Sequence, residues 1–463
     1  MSFLKILFES RLKSVDPITV FYALRVVFAV GTWTLSDMAI DRLSATKQDR
    51  IKGLLFVATS YVTWTYQSHT FSNSVETVVL LWCLVIIYEL TVKRSNAMSR
   101  HWDTALLAGL IVFGIFNRVT FPAFLILPGF HLLKHFYRFP LTFITFVCTG
   151  LVTVTLAIQI DTMLYNQNGK VPEHFSDLVI TPLNNLIYNT RMENLSVHGL
   201  HHNLHHVLVN LPELLGPGLI LLFSRKYIKT LPFQSALSGI ICLSLVPHQE
   251  ARFLVPAVPL LCQCFDSELF NRKILKTLLS VWLIFNIALG FIMGTLHQGG
   301  VIPAQAQIAH ITTVTPIDTV IWWKTYSPPI WLLGKPLGTV EIVQPDMSSD
   351  DHYKYIMDRI SARDYSEGDS HQLLVVDLMG ASETSVRRVL DHLAHVSVQP
   401  RALFVSSFAS LEISDKIKEL TEDNKTAYHL NRVWSTRYHL SLENFRVGKL
   451  ESLIPGIGIW SME

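Results

Sequence analysis

Between residues 18 and 297 the chain returns repeatedly to apolar runs close to the roughly 20 residues that a helix needs to cross a bilayer. The connections between these runs alternate in charge. "DRLSATKQDRIK", "VKRSNAMSRH", "KHFYR", "SRKYIK" and "NRKILK" are basic and fall at every second junction. Lysine and arginine gather on the cytoplasmic side of membrane proteins. The alternation therefore predicts spans near residues 18-40, 51-67, 75-92, 104-118, 120-133, 140-160, 206-223, 231-247, 253-268 and 276-297. Backbone in lipid must satisfy its own hydrogen bonds, so the expected fold is a polytopic α-helical membrane protein. Composition agrees, with 50% hydrophobic and 16% charged residues against the about 25% charged residues of ordinary soluble chains.

The other connections then lie on the lumenal or extracellular side. They are "QSHTFSNSV", the "FNRVTFP" corner, the long loop 161-205, the "HQEA" turn and everything after His297. Three regions are expected: a lumenal or interfacial segment 1-17, a multi-span domain 18-297 and a C-terminal lumenal domain 298-463. In the last, "HQLLVVDLMG", "SETSVRRVLDHLAHVS" and "RALFVSSF" read as strand, helix and strand. Val386, Val389, Leu390, Leu393 and Val396 share one helix face, and Ser382 and Thr384 offer capping oxygens. An α/β domain follows, without the Gly-rich loop that would cradle a nucleotide phosphate.

Sequons at Asn194-Leu195-Ser196 and Asn424-Lys425-Thr426 fall on the lumenal side of this scheme. A net charge of +2, with its basic residues dispersed in short loops, argues against nucleic acid as a partner. All five cysteines lie in or beside apolar runs and read as buried hydrophobes rather than a disulfide framework. The start, "MSFLKILFESRLKSVDP", has too short an apolar core for a secretory signal. It also puts Lys5, Arg11 and Lys13 on the lumenal side, so a preceding span and loop are expected to be missing.

A charged side chain at the bilayer centre costs roughly 2.5–3.5 kcal/mol on insertion scales, so polar clusters beside spans mark a cavity or an interface. His248, Glu250 and Arg252 stand between two apolar runs, after the helix-ending Pro247. They read as a cleft rim, or as a plain surface ion pair. Trp64, Tyr66, Gln67, His69, Asn73 and Glu76 form either an aromatic belt or the aromatic and amide lining of a sugar cleft. Asn117 and Arg118 lie at the same level, and the planar fork of Arg118 suits a phosphate. His198, His201, His202, His205 and His206 match no standard metal spacing, and Gly199 weakens a helical reading, so no metal ligands are expected. Asn210, Pro212, Gly216 and Pro217 predict a broken span lining a cavity.

"TSYVTWTYQSHTFSNSVET", "FGIFNRVTFPAF", "VITPLNNLIYN", "ENLSVHGLHHNLHHVLVNLPELLGP", "HQEARFLVP" and "WWKTYSPPIWLLG" together resemble glycosyltransferase family 22, and within it the enzymes that add the fourth mannose of GPI anchors. The likeness runs from about residue 18 to about residue 335. It implies a GT-C-like fold in the endoplasmic reticulum membrane, with a lumenal active face. The implied activity moves mannose from dolichyl-phosphate mannose, in α1,2 linkage, to the third mannose of the GPI-anchor precursor, without a cofactor.

By position His248, Gln249, Glu250, Arg252 and Phe253 match the family's H-K/Q-E-x-R-F motif. The resemblance makes Glu250 the candidate catalytic-site carboxylate, paired with Arg252. Arg118, Arg252 and His248 are then expected at the donor phosphate, and Trp64, Gln67, His69, Asn117, His198 and His201 at sugar or acceptor. Two departures stand out. The family's H-P-D-E-type acidic motif has no counterpart in this string, and His202 and Asn203 stand where the family runs Pro-Arg. A shortened, catalytically impaired form of such an enzyme is one alternative expectation. A polytopic lipid or solute transporter is another, although the internal hydropathy repeats that transporters show are not seen.

Overall fold

The computed structural model describes residues 16–92, 97–165, 177–191, 199–336, 338–345, 351–362, 372–396, 401–422, 428–445 and 448–462. His198, Asn194 and Asn424 lie outside the described residues, as does the segment before Asp16. The chain divides into two compact units between Gly290 and Phe291, with Tyr22 and the residues just before it belonging to the second.

The first unit is built of helices: α1 (Pro17–Leu43, from Ala23 onward), α2 (Lys47–Ala58), α3 (Ser72–Thr91), α4 (Ala97–Asn117), α5 (Ile126–Arg138), α6 (Pro140–Tyr165), α7 (Leu231–Ser244), α8 (Ala257–Gln263) and α9 (Arg272–Phe291). Among the described residues four are long and apolar enough to cross a membrane: α1, α3, α6, and α9 with its π-helical extension to Leu296. Their burial separates them. In α3, 72% of the most apolar window is buried, against 6% in α6. Helix α3 is thus the axis of the unit, while α6 shows Phe143, Ile144, Leu151 and Leu156 outward, a surface that only lipid would solvate.

Several expected spans are shorter and broken, for local reasons. The stretch 120-133 begins as a 3-10 segment, Phe121–Leu125, around Pro122 before α5 starts. The stretch 206-223 passes from a π-helical turn through Leu211–Leu215 into a 3-10 segment at Gly216, which adopts φ +46. Pro212, Gly216 and Pro217 predict that break, because proline removes a backbone donor and glycine tolerates positive φ. Likewise 253-268 splits at Pro256 into a 3-10 turn, Ala251–Leu254, and the short α8.

The polar groups of this unit segregate to two ends. At one, Arg42 meets Glu89 at 3.7 Å, and the Arg100 guanidinium lies 4.1 Å from the centre of the Phe139 ring. Tyr227 donates to Asp49 at 3.0 Å, Lys52 pairs with Asp49 at 3.1 Å, and Lys226 pairs with Glu268 at 3.2 Å. The "DRLSATKQDRIK" and "SRKYIK" loops therefore meet directly, while Glu89, Phe139 and Glu268, beside the other three basic loops, carry the remaining contacts. At the other end meet Ser72, Asn73, Arg118, Gly199, His248 and Arg252.

The second unit contains α10 (Val301–Val314), α11 (Lys354–Ser361), α12 (Glu383–Val396) and a six-stranded sheet. Its strands are β1 (Thr319–Trp323), β2 (Val340–Val343), β3 (Leu373–Leu378), β4 (Ala402–Ser407), β5 (Leu430–Thr436) and β6 (Ile457–Met462), in the order β2-β3-β1-β4-β6-β5. The first four run parallel, and β6 and β5 add antiparallel. The expected strand, helix and strand are β3, α12 and β4, and Ser382 Oγ accepts from the Ser385 N–H at 3.2 Å to cap the helix. Strands β1, β3 and β4 are buried along their whole length. Two apolar layers cover them, one built on Val386, Val389, Leu390 and Leu393, the other on Val301, Ala304 and Ile308. That is the arrangement a parallel sheet requires.

Candidate active site

The broken segments set up the charged end of the first unit. Pro247 and Pro256 bracket the turn that carries His248, Glu250 and Arg252, and Gln249 fixes it from within. Buried, Gln249 donates to the carbonyls of Ser244 and Val246 at 3.0 and 3.1 Å and accepts the His206 N–H at 2.8 Å. With that turn held, Glu250 Oε1 takes His248 Nε2 at 2.8 Å and Arg252 Nη2 at 3.0 Å, and Oε2 pairs with Arg252 Nε. Burial alone would raise the Glu250 pKa, but the hydrogen bond and charge of Arg252, then those of His248, outweigh it. They hold the carboxyl below the usual carboxylate range. The other His248 nitrogen, Nδ1, faces the Gly199 carbonyl at 3.0 Å. Both ring nitrogens therefore face oxygen acceptors, beside the two arginines.

Arg118 arrives from the end of α4. Its Nε pairs with Glu76 Oε2 at 2.8 Å, its Nη1 donates to Ser72 Oγ at 3.2 Å, and its guanidinium carbon lies 5.3 Å from the centre of the Phe253 ring. Arg252 approaches the same ring at 5.9 Å, and His248 meets it edge-on at 5.6 Å. Phe253 is therefore the ring around which two guanidinium groups and the His248 imidazole gather. The first turn of α3 ties the two arginine-bearing segments together. Asn73 Nδ2 donates to the Arg252 carbonyl at 2.8 Å, and Asn117 Nδ2 to the Ser72 carbonyl at 2.9 Å. Arg118 and Arg252 each meet one carboxylate, Glu76 and Glu250. The two guanidinium forks suit an anion such as a phosphate.

The residues expected from sequence separate into three sets. Arg118, His248, Glu250 and Arg252 come together, with His201 beside them: its ring centre is 6.2 Å from that of His248, and it stacks on His205 at 4.2 Å. Trp64 and Gln67 instead line a cavity of about 240 Å³ with Trp33, Ser36, Asp37 and Thr77. His69 and Asn117 spend their polar atoms on backbone, His69 Nδ1 on the Thr65 carbonyl. Burial, with the charge of Arg25 adding to it, lowers the His69 pKa to about 4, so this ring is neutral near pH 7. Among the described residues no group of three or more His, Cys, Asp or Glu side chains is placed to hold a metal ion. Phe253 as the gathering ring and Glu76 as the Arg118 partner were not assigned to the site from sequence. The available signal for Glu76 was a lone acid inside an apolar run.

Fold and site define a multi-pass membrane protein with an anion-favouring site at one end of its helices. The chain belongs to the Alg9-like mannosyltransferase family, whose model matches residues 2–334. It is similar to GPI mannosyltransferase 4 of Yarrowia lipolytica, with 41% identity covering 99% of this chain and 85% of that protein. GPI mannosyltransferase 4 of Saccharomyces cerevisiae is 36% identical over 97% of this chain and 84% of its own length. The Candida albicans protein of the same name is 34% identical over 96% and 82%. No solved structure matches the chain. Family and relatives bear out the expected resemblance and make the chain a membrane glycosyltransferase of GPI-anchor synthesis, not a transporter.

Proposed function

We propose that the chain transfers mannose from dolichyl-phosphate mannose, in α1,2 linkage, to the third mannose of the GPI-anchor precursor, at the lumenal face of the endoplasmic reticulum membrane. The observation that carries this reading is the convergence of Arg118, Arg252 and His248 on one ring. In the reaction the acceptor hydroxyl oxygen bonds to the anomeric carbon and the bond from that carbon to the phosphate oxygen breaks. Dolichyl phosphate departs with the electron pair, and the acceptor proton passes to a base. Charge grows on the departing phosphate, where fixed cations lower the barrier. Glu250 is a weak proton acceptor while Arg252 and His248 hold it ionised, so its role is to aim those two side chains. His201, Trp64 and Gln67 are assigned to sugar and acceptor, whereas His69 and Asn117 act through the backbone. The α/β unit is assigned to the same lumenal side.

The test is mannose transfer in membranes from cells that lack the fourth-mannose step, using a dolichyl-phosphate mannose donor and a three-mannose GPI acceptor. The wild-type chain is expected to add one α1,2-linked mannose. Arg252→Ala and Glu250→Ala should each lower kcat/KM by about 10²-fold, the scale of losing one oriented charge-stabilising group. Unchanged transfer by both variants would sink the assigned roles. Failure of the wild-type chain to add that mannose would sink the reading itself.

A further inference from the structure

Glu76 belongs to no step described above, yet it is fully buried, with 0% of its surface exposed, in the first turns of the central helix α3. Its two oxygens face different neighbours, and the contact with Arg118 is an ion pair without hydrogen-bond alignment. Oε2 meets Arg118 Nε at 2.8 Å, and Oε1 accepts from Thr120 Oγ1 at the long distance of 3.4 Å. Thr120 stands two residues beyond Arg118, at the corner before the 3-10 segment Phe121–Leu125, so one carboxylate grips both the side chain and the corner that carries it. Ser72, one turn earlier on α3, takes Arg118 Nη1. Among the described residues Nη2 has no hydrogen-bond partner. The ion pair at Nε and the hydrogen bond at Nη1 restrict how the guanidinium can turn, and Nη2 keeps its two donors for a ligand. The ring that this guanidinium approaches is Phe253, which Arg252 and His248 also approach.

We infer that Glu76 is a positioning residue: it holds the Arg118 guanidinium in the orientation that presents Nη2 to the phosphate of the lipid-linked donor. This inference rests on the proposed donor-phosphate role of Arg118. A carboxylate supplies the lock because it is planar and charged. A neutral amide of the same shape keeps one weaker contact and lets the fork rotate, and an aspartate keeps the charge but shortens the reach.

The experiment measures KM for dolichyl-phosphate mannose and kcat, per amount of monodisperse protein in detergent, for the wild type, Glu76→Gln, Glu76→Asp, Arg118→Ala and the Glu76→Gln/Arg118→Ala double variant. Glu76→Gln is expected to raise the donor KM about 10-fold in the wild-type background and less than about 2-fold once Arg118 is gone, because partners acting through one contact are non-additive. Glu76→Asp is expected to recover most of that loss. An equal Glu76→Gln effect with and without Arg118, or a fall in kcat with an unmoved donor KM, would show a role in folding alone and overturn the inference. If Glu76→Gln yields no monodisperse protein, the same comparison is made with Glu76→Asp, whose donor KM must rise by more in the presence of Arg118 than in its absence. An unchanged donor KM in Arg118→Ala would instead remove the assignment of Arg118 on which the inference rests.

Discussion

His69 and His248 show how one residue type meets different surroundings within the same unit. His248 has oxygen acceptors facing both ring nitrogens. His69 gives one hydrogen to the Thr65 carbonyl, and its partial burial, with the charge of Arg25, lowers its pKa to about 4. Its unfolded value is about 6.5. Between those two values the unfolded chain binds a proton that the folded ring refuses, so stability is undiminished above about pH 6.5 and falls as pH drops toward 4. Below that, both states are protonated and the loss stops growing. Wild-type protein in detergent is expected to lose about 1–2 kcal/mol more than His69→Gln between pH 7 and pH 4.5, allowing for partial solvent screening. Denaturant midpoints at the two pH values measure this, and parallel curves for the two proteins would refute it. The triad His248, Glu250 and Arg252 was legible in the sequence because its members sit in one short turn. The Arg118–Glu76 pair was not, because its partners belong to different helices and meet only when those helices pack.

The corner that carries Arg118 depends on how helices are built rather than on any one charge. Pro122 opens the 3-10 segment, and Pro128, third in α5, has no N–H to give the Phe124 carbonyl, so carbonyls at this corner are left without helical partners. Helix α7 supplies those partners: buried Ser235 donates to the Phe124 carbonyl at 2.8 Å, and Ser238 to the Ala123 carbonyl at 2.6 Å. Gly239 completes the face by leaving room for the Phe124 ring. A Cβ there would stand 2.2 Å from Phe124 Cδ1, whereas one at Gly31 of α1 meets nothing within 4 Å. Gly239→Ala is therefore expected to destabilise the protein by about 1–3 kcal/mol through overpacking. Gly31→Ala is expected to leave the thermal midpoint in detergent unchanged or slightly raised. Equal midpoints for the two variants would contradict the packing account. Sequence alone marked this stretch as one short span near 120-133, since the serines that accommodate the break lie on a helix far along the chain.

At the scale of the whole molecule, periodicity and charge carried the reading unequally. In the second unit β3, α12 and β4 were legible, because the helix is strongly two-faced and both strands are compact apolar runs. β1 was not, because "TVIWW" is a five-residue run without alternation and with no strongly two-faced helix beside it to mark a strand-helix-strand unit; it lies buried between β3 and β4. Edge strand β5 is mostly exposed, with a bulge between Arg432 and Trp434, so neither a clean alternation nor an apolar run marked it. In the first unit the basic loops were legible as one class, and the structure places contacts in or beside them at a single end, Arg42–Glu89, Tyr227–Asp49 and Lys226–Glu268. The anion-favouring site forms at the other end, from loops that carry no such basic excess. The positive-inside rule then sets opposite sides of the membrane for Lys229, exposed in the "SRKYIK" loop, and Leu200, exposed near His201. In sealed endoplasmic reticulum vesicles, with Cys148 replaced by serine, a membrane-impermeant maleimide is expected to label Lys229→Cys directly. It should label Leu200→Cys only after the vesicles are opened. Labelling of both positions in sealed vesicles, or the reverse order, would place the site on the cytoplasmic face, where a donor whose sugar is presented to the lumen could not reach Arg118 and Arg252.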